Sequence, residues 1–309
     1  MRVDYGHFVA VDGLSLTVPR GEIFGLVGPN GAGKTSSFKV LATLMEPTYG
    51  DVFIGGVDVA LKPEHARRNH GYKPDLAPVA SDLKVWEFID LFAAAHGITP
   101  EDRPARIDEC LEKVKLTDKY YSICKDLSRG MMQRLVLAKT ILHQPSLYLL
   151  DEPASGMDPA SRADLRETVR ALARNGAAIL ISSHILSELE DMCTMIGFMS
   201  NGVLVDSGRV DEVVSRRTAS PSRKLVASCA GNTDSLLAFL DRHPRTTLDD
   251  RSNGGIEFGF TGDEHDQADL IAEMVTAGIP VKSLTEQRAS IEQVLLELEP
   301  GNEEERREA

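Results

Sequence analysis

The fold of this chain is decided by Gly28-Pro29-Asn30-Gly31-Ala32-Gly33-Lys34-Thr35. The stretch follows an apolar run, residues 23–27, and precedes residues 35–45, which have the pattern of a helix. Glycines at these spacings between a strand and a helix are typical of a phosphate-binding P-loop, because missing Cβ atoms let backbone N–H groups surround phosphate oxygens. Lys34 is expected to reach the β- and γ-phosphates, and Thr35 to bind Mg²⁺. We predict that the nucleotide is bound by Gly28, Asn30, Gly31, Ala32, Gly33, Lys34, Thr35 and Ser36.

Length and composition are those of a soluble globular protein with room for two domains. The chain has 309 residues, of which 42% are hydrophobic and 26% are charged. Its longest apolar runs, such as residues 177–181, are far shorter than the roughly 18 residues of a membrane-spanning helix. The N-terminus has no signal-peptide pattern, so we expect a cytoplasmic protein. A net charge of −13 repels nucleic-acid phosphate and anionic lipid, so we expect no nucleic-acid partner, and any membrane association through a protein partner.

Apolar periodicity predicts alternating strands and helices in residues 1–217, which we assign to one α/β domain. Residues 7–11 and 14–18 have the pattern of two short strands. A helical insertion is predicted at about residues 76–127, and Ser128 is predicted to cap a helix over 129–142. Further predicted elements are a strand at 51–54, a strand at 147–150, a helix containing Leu165 and Val169, a strand at 178–182 and a hairpin turning at Asn201-Gly202. This order predicts a mainly parallel sheet with antiparallel strands at its edge.

The remaining third of the chain is predicted to form a smaller domain of its own. Residues 218–223 are polar and contain Pro221, so we place a linker there. Residues 224–300 have the pattern of a small α+β domain, and residues 301–309 are nearly all polar or charged, which predicts a disordered tail. The predicted elements are a strand at 224–229, a helix at 234–240, paired strands around 253–255, a helix at 267–277 and a final strand and helix.

Two acidic residues, Asp151 and Glu152, directly follow the apolar strand predicted at residues 147–150. A P-loop needs an acid to hold Mg²⁺, and Asp151 fits that requirement. Glu152 would direct a second carboxylate toward the γ-phosphate, where it could act as a general base on the attacking water. His184 follows the strand 178–182 and could contact the γ-phosphate. We therefore predict Lys34, Glu152 and His184 as catalytic residues.

The motifs, taken in order, resemble those of the ATP-binding cassette (ABC) ATPases. GPNGAGKT, LSRGMMQR, LYLLDEP, SGMD and ISSH follow one another, and the resemblance covers roughly residues 3–215. The chain looks most like the ATPase subunits of exporters whose membrane subunits are separately encoded. The resemblance implies ATP and Mg²⁺ as ligands. It also implies a head-to-tail homodimer or heterodimer driving membrane-spanning subunits, and a peripheral location on the inner face of the cell membrane.

The resemblance also implies roles for residues outside the P-loop. Ser128 and Gly130 belong to the signature motif, which binds the γ-phosphate of ATP held by the other subunit. Ser155, Gly156 and Asp158 form the loop that crosses this interface, and His184 is the switch histidine. Tyr5 matches the aromatic residue that stacks on adenine. A helix N-terminus suits the signature role, because its free N–H groups and macrodipole favour an anion.

Three positions depart from the family's pattern. The signature usually reads LSGGQ, whereas Arg129 replaces the first glycine and Met131 the glutamine. Arg129 could add a positive charge near phosphate or project into solvent. Asp75 stands where the family usually has glutamine. Its carboxylate could bind Mg²⁺ or a water on it, but cannot donate the same hydrogen bond. In this family residues 76–96 would face the membrane subunit, and Trp86 and Phe88 are either anchors there or core residues.

Two other functions remain open. The first is a soluble ABC ATPase acting on ribosomes or DNA, although such proteins usually combine two cassettes or a coiled-coil insertion with a basic contact surface. The second is a degenerate ATP-binding subunit that works only beside a different subunit, as Asp75, Arg129 and Met131 would allow. The C-terminal domain has no catalytic signature, and we expect it to serve dimerisation or regulation.

Overall fold

The computed structural model describes residues 1–76, 78–183, 186–217, 223–231, 233–252 and 255–286. The described residues fall into two compact units, the first ending at Val213 and the second beginning at Val214. The linker predicted at 218–223 lies outside the described residues except for Arg223. His184, the final helix and the tail at 301–309 also lie outside them.

The first unit is built on a six-stranded sheet with a small β-hairpin on either side of the P-loop in sequence. In the order β10-β9-β3-β8-β7-β6, neighbouring strands are parallel except for β10, which runs antiparallel to β9 at the edge. The predicted mainly parallel sheet is therefore confirmed. The strands of this unit are β1 Val3–Tyr5, β2 Phe8–Val11, β3 Ile23–Val27, β4 Phe53–Ile54, β5 Val57–Asp58, β6 His70–Lys73, β7 Leu147–Asp151, β8 Ala178–Ser182, β9 Met195–Ser200 and β10 Val203–Arg209.

The centre of this sheet is covered on both faces. Every residue of β3 and of β8 is buried, which explains why both strands are uninterrupted apolar runs rather than alternating ones. Leu26 lies opposite Ser182, and Asp151 lies opposite Ser182 on the other side. The carboxyl ends of β3, β8 and β7 therefore meet at one edge, where ligands of open α/β sheets bind.

One predicted strand, at residues 14–18, is wrong. Leu14 is buried while Leu16 and Val18 are partly buried, so the alternating exposure is present. Leu14 exchanges backbone hydrogen bonds with Met1, at 2.9 and 2.6 Å, but within the described part of the chain this segment joins no sheet. The two strands before the P-loop are instead β1 and β2, which pair antiparallel. The alternating pattern therefore indicated which side chains are buried, but this segment is not paired with a strand of a sheet.

Helices surround the sheet, and two of them form the predicted insertion between residues 76 and 127. Phe88 in this insertion is 2% exposed and packs edge-on against Phe92, so it is a core residue and not a surface anchor. Trp86 is partly buried and stacks on Tyr120. The helices of the first unit are α1 Lys34–Leu41, α2 Pro63–Asn69, α3 Val85–Ala95, α4 Arg103–Lys113, α5 Arg129–Ile141, α6 Pro159–Arg174 and α7 Leu186–Met192, and α8 Val210–Arg217 follows at the boundary.

The second unit is a four-stranded antiparallel sheet with two helices in β-α-β-β-α-β order. Its strand order, β12-β13-β11-β14, is that of the ferredoxin-like arrangement. Leu225, Leu236, Phe258, Leu270 and Met274 lie in its buried core. The elements are β11 Arg223–Cys229, α9 Asp234–Arg242, β12 Thr246–Ser252, β13 Gly255–Phe260, α10 Glu264–Thr276 and β14 Val281–Glu286.

Candidate nucleotide site

The P-loop is the turn between β3 and α1, and two of its glycines are required by close packing. A Cβ on Gly28 would overlap the carbonyl oxygen of Met199 in β9. A Cβ on Gly33 would overlap the carbonyl oxygen of Ala10 in β2, and Gly33 has φ of 100°. Side chains at these two positions are therefore excluded by backbone atoms that cannot move aside independently. The backbone conformation of the loop is therefore fixed by close packing against β9 on one side and β2 on the other.

Hydrogen bonds fix the tip of the loop. The Ala32 N–H donates to the Pro29 carbonyl at 3.2 Å, and the Ala32 carbonyl accepts from the Gly202 N–H at 3.1 Å. Gly202 and Asn201 both have positive φ, 82° and 48°, as the predicted type I′ turn requires. The β9–β10 hairpin therefore braces the P-loop. Asn30, Gly31 and Thr35 are exposed, Ser36 is partly buried and Ala32 is buried.

Lys34 is folded back into the loop. Its Nζ donates to the carbonyls of Gly28 and Pro29, at 2.6 and 3.1 Å. Burial lowers the pKa of Lys34, and the negative charges of Glu152 and Asp151 oppose that shift. The ammonium group is therefore held by the P-loop carbonyls, within range of the charges of Asp151 and Glu152.

The two acids are held by Ser182, which belongs to the ISSH motif but for which the motif predicts no role. Asp151 is 3% exposed and accepts a hydrogen bond from Ser182 Oγ at 2.6 Å. The Glu152 N–H donates to Ser182 Oγ at 3.1 Å and to the Ser182 carbonyl at 3.2 Å. Glu152 has φ of 46°, in the left-handed region. A hydroxyl at the end of β8 thus orients the carboxylate of Asp151 and the backbone of Glu152 together.

Lys73 adds a buried positive charge at the same end of the sheet. It is the last residue of β6, is fully buried, and donates weakly to the Pro74 carbonyl at 3.4 Å. Burial lowers its pKa to about 8, and the charges of Asp75, Asp151 and Glu152 oppose that shift. The only sequence feature that could have pointed to Lys73 is its position directly before Pro74 and Asp75. Its charge partly offsets the repulsion among the carboxylates.

The oxygen donors of this region suit a magnesium ion that shares its ligands with phosphate. Asp151 ends β7, Thr35 has an exposed hydroxyl, and Asp75 has a buried Oδ1 without a hydrogen-bond partner in the described residues. The Asp75 carbonyl accepts from Gln133 of α5 at 3.2 Å, which fixes its backbone. In residues that the structure describes, no cluster of three His, Cys, Asp or Glu side chains could hold a metal alone. Mg²⁺ usually takes one or two carboxylates, with waters and phosphate oxygens completing its shell.

Ser128, Gly130 and Asp158 come together at the N-termini of α5 and α6. Ser128 caps α5, and its Oγ accepts from the Met131 N–H at 3.3 Å, as predicted. Asp158 caps α6, and hydrogen bonds from Ser161 lower the pKa of Asp158. A Cβ on Gly130 would lie 3.9 Å from Asp158 Oδ2. These residues form a second cluster, at helix ends that favour an anion.

Tyr5 lies beside the P-loop helix. Its ring is exposed, with a relative exposure of 47%, and its hydroxyl is 3.5 Å from Ser36 Oγ and 3.4 Å from Met45 Sδ. An exposed aromatic face next to α1 is what stacking on a base requires. His184 lies outside the described residues, so its predicted contact stays a prediction.

A family model and several known proteins match this chain. The model described as ABC transporter matches residues 11–155. The daunorubicin resistance ATP-binding protein DrrA3 of Streptomyces coeruleorubidus is 30% identical over 294 residues, which cover 95% of this chain and 92% of that protein. The Nod factor export ATP-binding protein I of Rhizobium meliloti is 33% identical over 241 residues, which cover 78% of this chain and 71% of that protein. The uncharacterised ABC transporter ATP-binding protein YhcH of Bacillus subtilis is 38% identical over 204 residues, and the chain spans 66% of its length.

Solved structures agree with the fold. The ATP-binding subunit of an ABC transporter superposes with a TM-score of 0.65 at 32% identity, covering 71% of this chain and 92% of that one. The dimeric bacterial ABC transporter cassette MJ0796 superposes with a TM-score of 0.62 at 20% identity, and the match covers 68% of this chain and 95% of that one. With the P-loop, the acids ending β7 and the two capped helices, these similarities place the chain in one family. The chain belongs to the ATP-binding proteins of ABC transporters, a family of ATPases.

Proposed function

We propose that this protein is the ATP-hydrolysing subunit of an ABC exporter, and that it dimerises head-to-tail on ATP to drive separately encoded membrane subunits. One observation carries the proposal. A braced P-loop and the acids Asp151 and Glu152 share one sheet edge. In the same chain, the N-terminus of α5 at Ser128 and Gly130 favours an anion and lies beside Asp158. Two relatives named for drug resistance and for Nod factor export support the direction of transport.

The first cluster holds ATP and activates water. Backbone N–H groups of residues 28–36 would bind the phosphates, with Lys34 leaving its carbonyl partners to contact the β- and γ-phosphates. Tyr5 would stack on adenine. Thr35 and Asp151, with Asp75 directly or through a water, would hold Mg²⁺, which neutralises developing charge when bound.

Hydrolysis needs a base at the γ-phosphate. Glu152 would accept a proton from the attacking water, and Ser182 would fix the backbone from which Glu152 projects. His184 is proposed to contact the γ-phosphate. Lys73 and Lys34 place positive charge next to these carboxylates.

The second cluster would complete the site of a partner subunit. N-terminal N–H groups of α5 and the Ser128 hydroxyl would bind the γ-phosphate of the partner's ATP. ATP would then hold the two subunits together, and hydrolysis would release them. Such a cycle converts phosphate chemistry into motion of the attached membrane subunits.

The membrane would be reached through those subunits. No helix in the described ranges is both long and apolar enough to cross a bilayer. We propose a cytoplasmic protein, held at the inner face of the membrane by its transporter partner. The transported substrate would be selected by the membrane subunits.

Replacing Glu152 by Gln tests the proposal. The amide cannot accept the proton, so we expect Mg-ATP turnover to fall by on the order of 100-fold or more, while ATP binding persists. The E152Q protein should form an ATP-dependent dimer, measured by analytical ultracentrifugation. Glu101→Gln, an exposed acid in the helical insertion, is the matched control and should turn over normally.

Normal turnover by E152Q would contradict the assignment of Glu152. Hydrolysis by the purified wild-type chain alone would count against a degenerate subunit. Recovery of transporter membrane subunits in pull-downs from membranes would support the exporter assignment, whereas recovery of ribosomes or DNA would contradict it.

A further inference from the structure

Arg129 stands where LSGGQ has its first glycine, and its side chain contacts a neighbouring loop. Arg129 Nη2 donates to Ser155 Oγ at 3.3 Å. A Cβ on Gly156 would overlap the end of the Arg129 side chain, at 2.6 Å from both Cδ and Cζ. Arg129 therefore lies against the bare α-carbon of Gly156, in space that no other residue type at 156 would leave open.

This loop begins at Glu152. The Ser155 N–H donates to the Glu152 carbonyl at 3.2 Å, and the Met157 N–H donates to the Ala154 carbonyl at 3.1 Å. These backbone bonds close two successive turns directly after the proposed base. A side chain that holds Ser155 therefore also restrains the backbone of Glu152.

The far end of the loop is held from the same helix. Arg134 Nη2 donates to Ser161 Oγ at 2.6 Å, and Ser161 Oγ donates to Asp158 Oδ2 at 2.6 Å. Helix α5 thus contacts Ser155 directly through Arg129, and it reaches Asp158 indirectly, because Arg134 binds Ser161 and Ser161 binds Asp158. Arg129 is the exposed contact and the one that departs from the family's pattern.

We propose that Arg129 is a positioning residue for hydrolysis, which holds Ser155 and Gly156 so that the N-terminus of α5 and the turn carrying Glu152 move together. The inference rests on the proposed function for the roles of Ser128, Gly130 and Glu152. Phosphate of the partner's ATP at α5 would be linked through Arg129 to Glu152 of the same subunit. Because Glu152 acts on a different ATP, Arg129 couples the two sites.

A double-mutant cycle of Arg129→Ala and Ser155→Ala tests the coupling in the full-length protein. We expect either change to lower kcat for Mg-ATP by roughly threefold to tenfold, the range for one lost hydrogen bond, with KM within about twofold. The double variant should be no slower than the single ones, because both remove the same contact. Arg129→Lys keeps a donor for Ser155 and should restore kcat to within about twofold. Arg174→Ala, at an exposed arginine in the last turn of α6, is the control.

Hydrogen exchange tests the restraint without relying on hydrolysis. In R129A the Ser155 amide should exchange at least about threefold faster than in wild type, whereas R174A should leave its rate unchanged. If the wild-type protein does not hydrolyse Mg-ATP, the proposed function is wrong. The hydrogen-exchange rate of the Ser155 amide would still show whether Arg129 restrains this loop. Unchanged exchange in R129A would overturn the inference. So would additive effects on kcat, since these would mean that Arg129 acts on phosphate directly and not through Ser155.

Discussion

Among single residues, Ser182 has the most demanding position. Its hydroxyl donates to Asp151 and accepts from the Glu152 N–H, and the residue is fully buried. One hydroxyl therefore satisfies a buried carboxylate and a strained backbone at the same time. Removing it leaves an acceptor in the interior without its donor, which costs more than the hydrogen bond itself.

Ser182→Ala should lower both stability and turnover. We expect a loss of about 1–3 kcal/mol in the free energy of unfolding, from the unsatisfied Asp151 carboxylate, measured by urea denaturation. We also expect a several-fold lower kcat for Mg-ATP. Ser182→Thr retains the hydroxyl and should recover most of both losses. Equal stability of S182A and wild type would show that the hydrogen bond is not needed.

Sequence predicts those residues whose chemistry is local. The P-loop glycines and Lys34 lie within a few positions of one another, so their spacing alone indicates a phosphate site. Ser182 could not be found that way, because its contact with Asp151 depends on the register between two strands about thirty positions apart. The contact of Arg129 with Gly156 likewise depends on how a loop crosses a helix. Neither contact leaves a local pattern.

Among secondary-structure elements, α5 connects the proposed signature cluster with the helical insertion. Its N-terminus carries Ser128, and its C-terminal half packs on the helical insertion, where Lys139 Nζ lies 4.8 Å from the centre of the Phe92 ring. Just beyond the helix, His143 stacks on His96, with ring centres 3.8 Å apart. Apolar periodicity predicted this helix, and its serine cap is confirmed. The stacked histidines were not predictable, since each is an ordinary loop residue in sequence.

This histidine pair should make stability depend on pH. Burial, and then the neighbouring His96, lower the pKa of His143 to about 4, from about 6.5 in an unfolded chain. Between these values the unfolded chain binds the extra proton, so stability is lost as pH falls from about 6.5 to 4. His143→Gln keeps a donor for the His70 carbonyl, now 3.0 Å from His143 Nε2, but cannot be protonated.

Urea denaturation at pH 4.5 and 7 measures the effect. The fall in unfolding free energy on acidification should be smaller in H143Q than in wild type. His65→Gln, at an exposed position of α2, should leave the fall unchanged. An identical fall in all three proteins would mean that His143 is protonated in the folded state at pH 4.5.

For the whole molecule, the division into two units has thermodynamic consequences. Each unit has its own buried core, and the described residues of the proposed nucleotide site belong to the first unit. The elements of the second unit follow the predicted strand and helix order as far as β14. What sequence could not supply is its sheet order, because pairing of β11 with both β13 and β14 joins segments remote in the chain.

Calorimetry should resolve two unfolding transitions that respond to different changes. Mg-ATP at 100 times its Kd should raise the free energy of unfolding of the first unit by about 2.7 kcal/mol and leave the unfolding transition of the second unit unchanged. Phe258→Ala removes a fully buried ring and should destabilise the second unit by about 3–5 kcal/mol, with Mg-ATP hydrolysis retained. Phe53→Ala, at a side chain 61% exposed, is the control with little effect. A single transition that both changes shift would contradict independent unfolding.

The positive φ of Glu152 implies a trade between the stability of the protein and the catalytic role proposed for this residue. A residue with a Cβ pays about 1–2 kcal/mol for the left-handed conformation that this position adopts. Glycine adopts this left-handed conformation without the steric cost, but it has no carboxylate. The most robust version of this chain and its most active version are therefore different sequences, and mutagenesis aimed only at thermal tolerance would drift toward an inert protein.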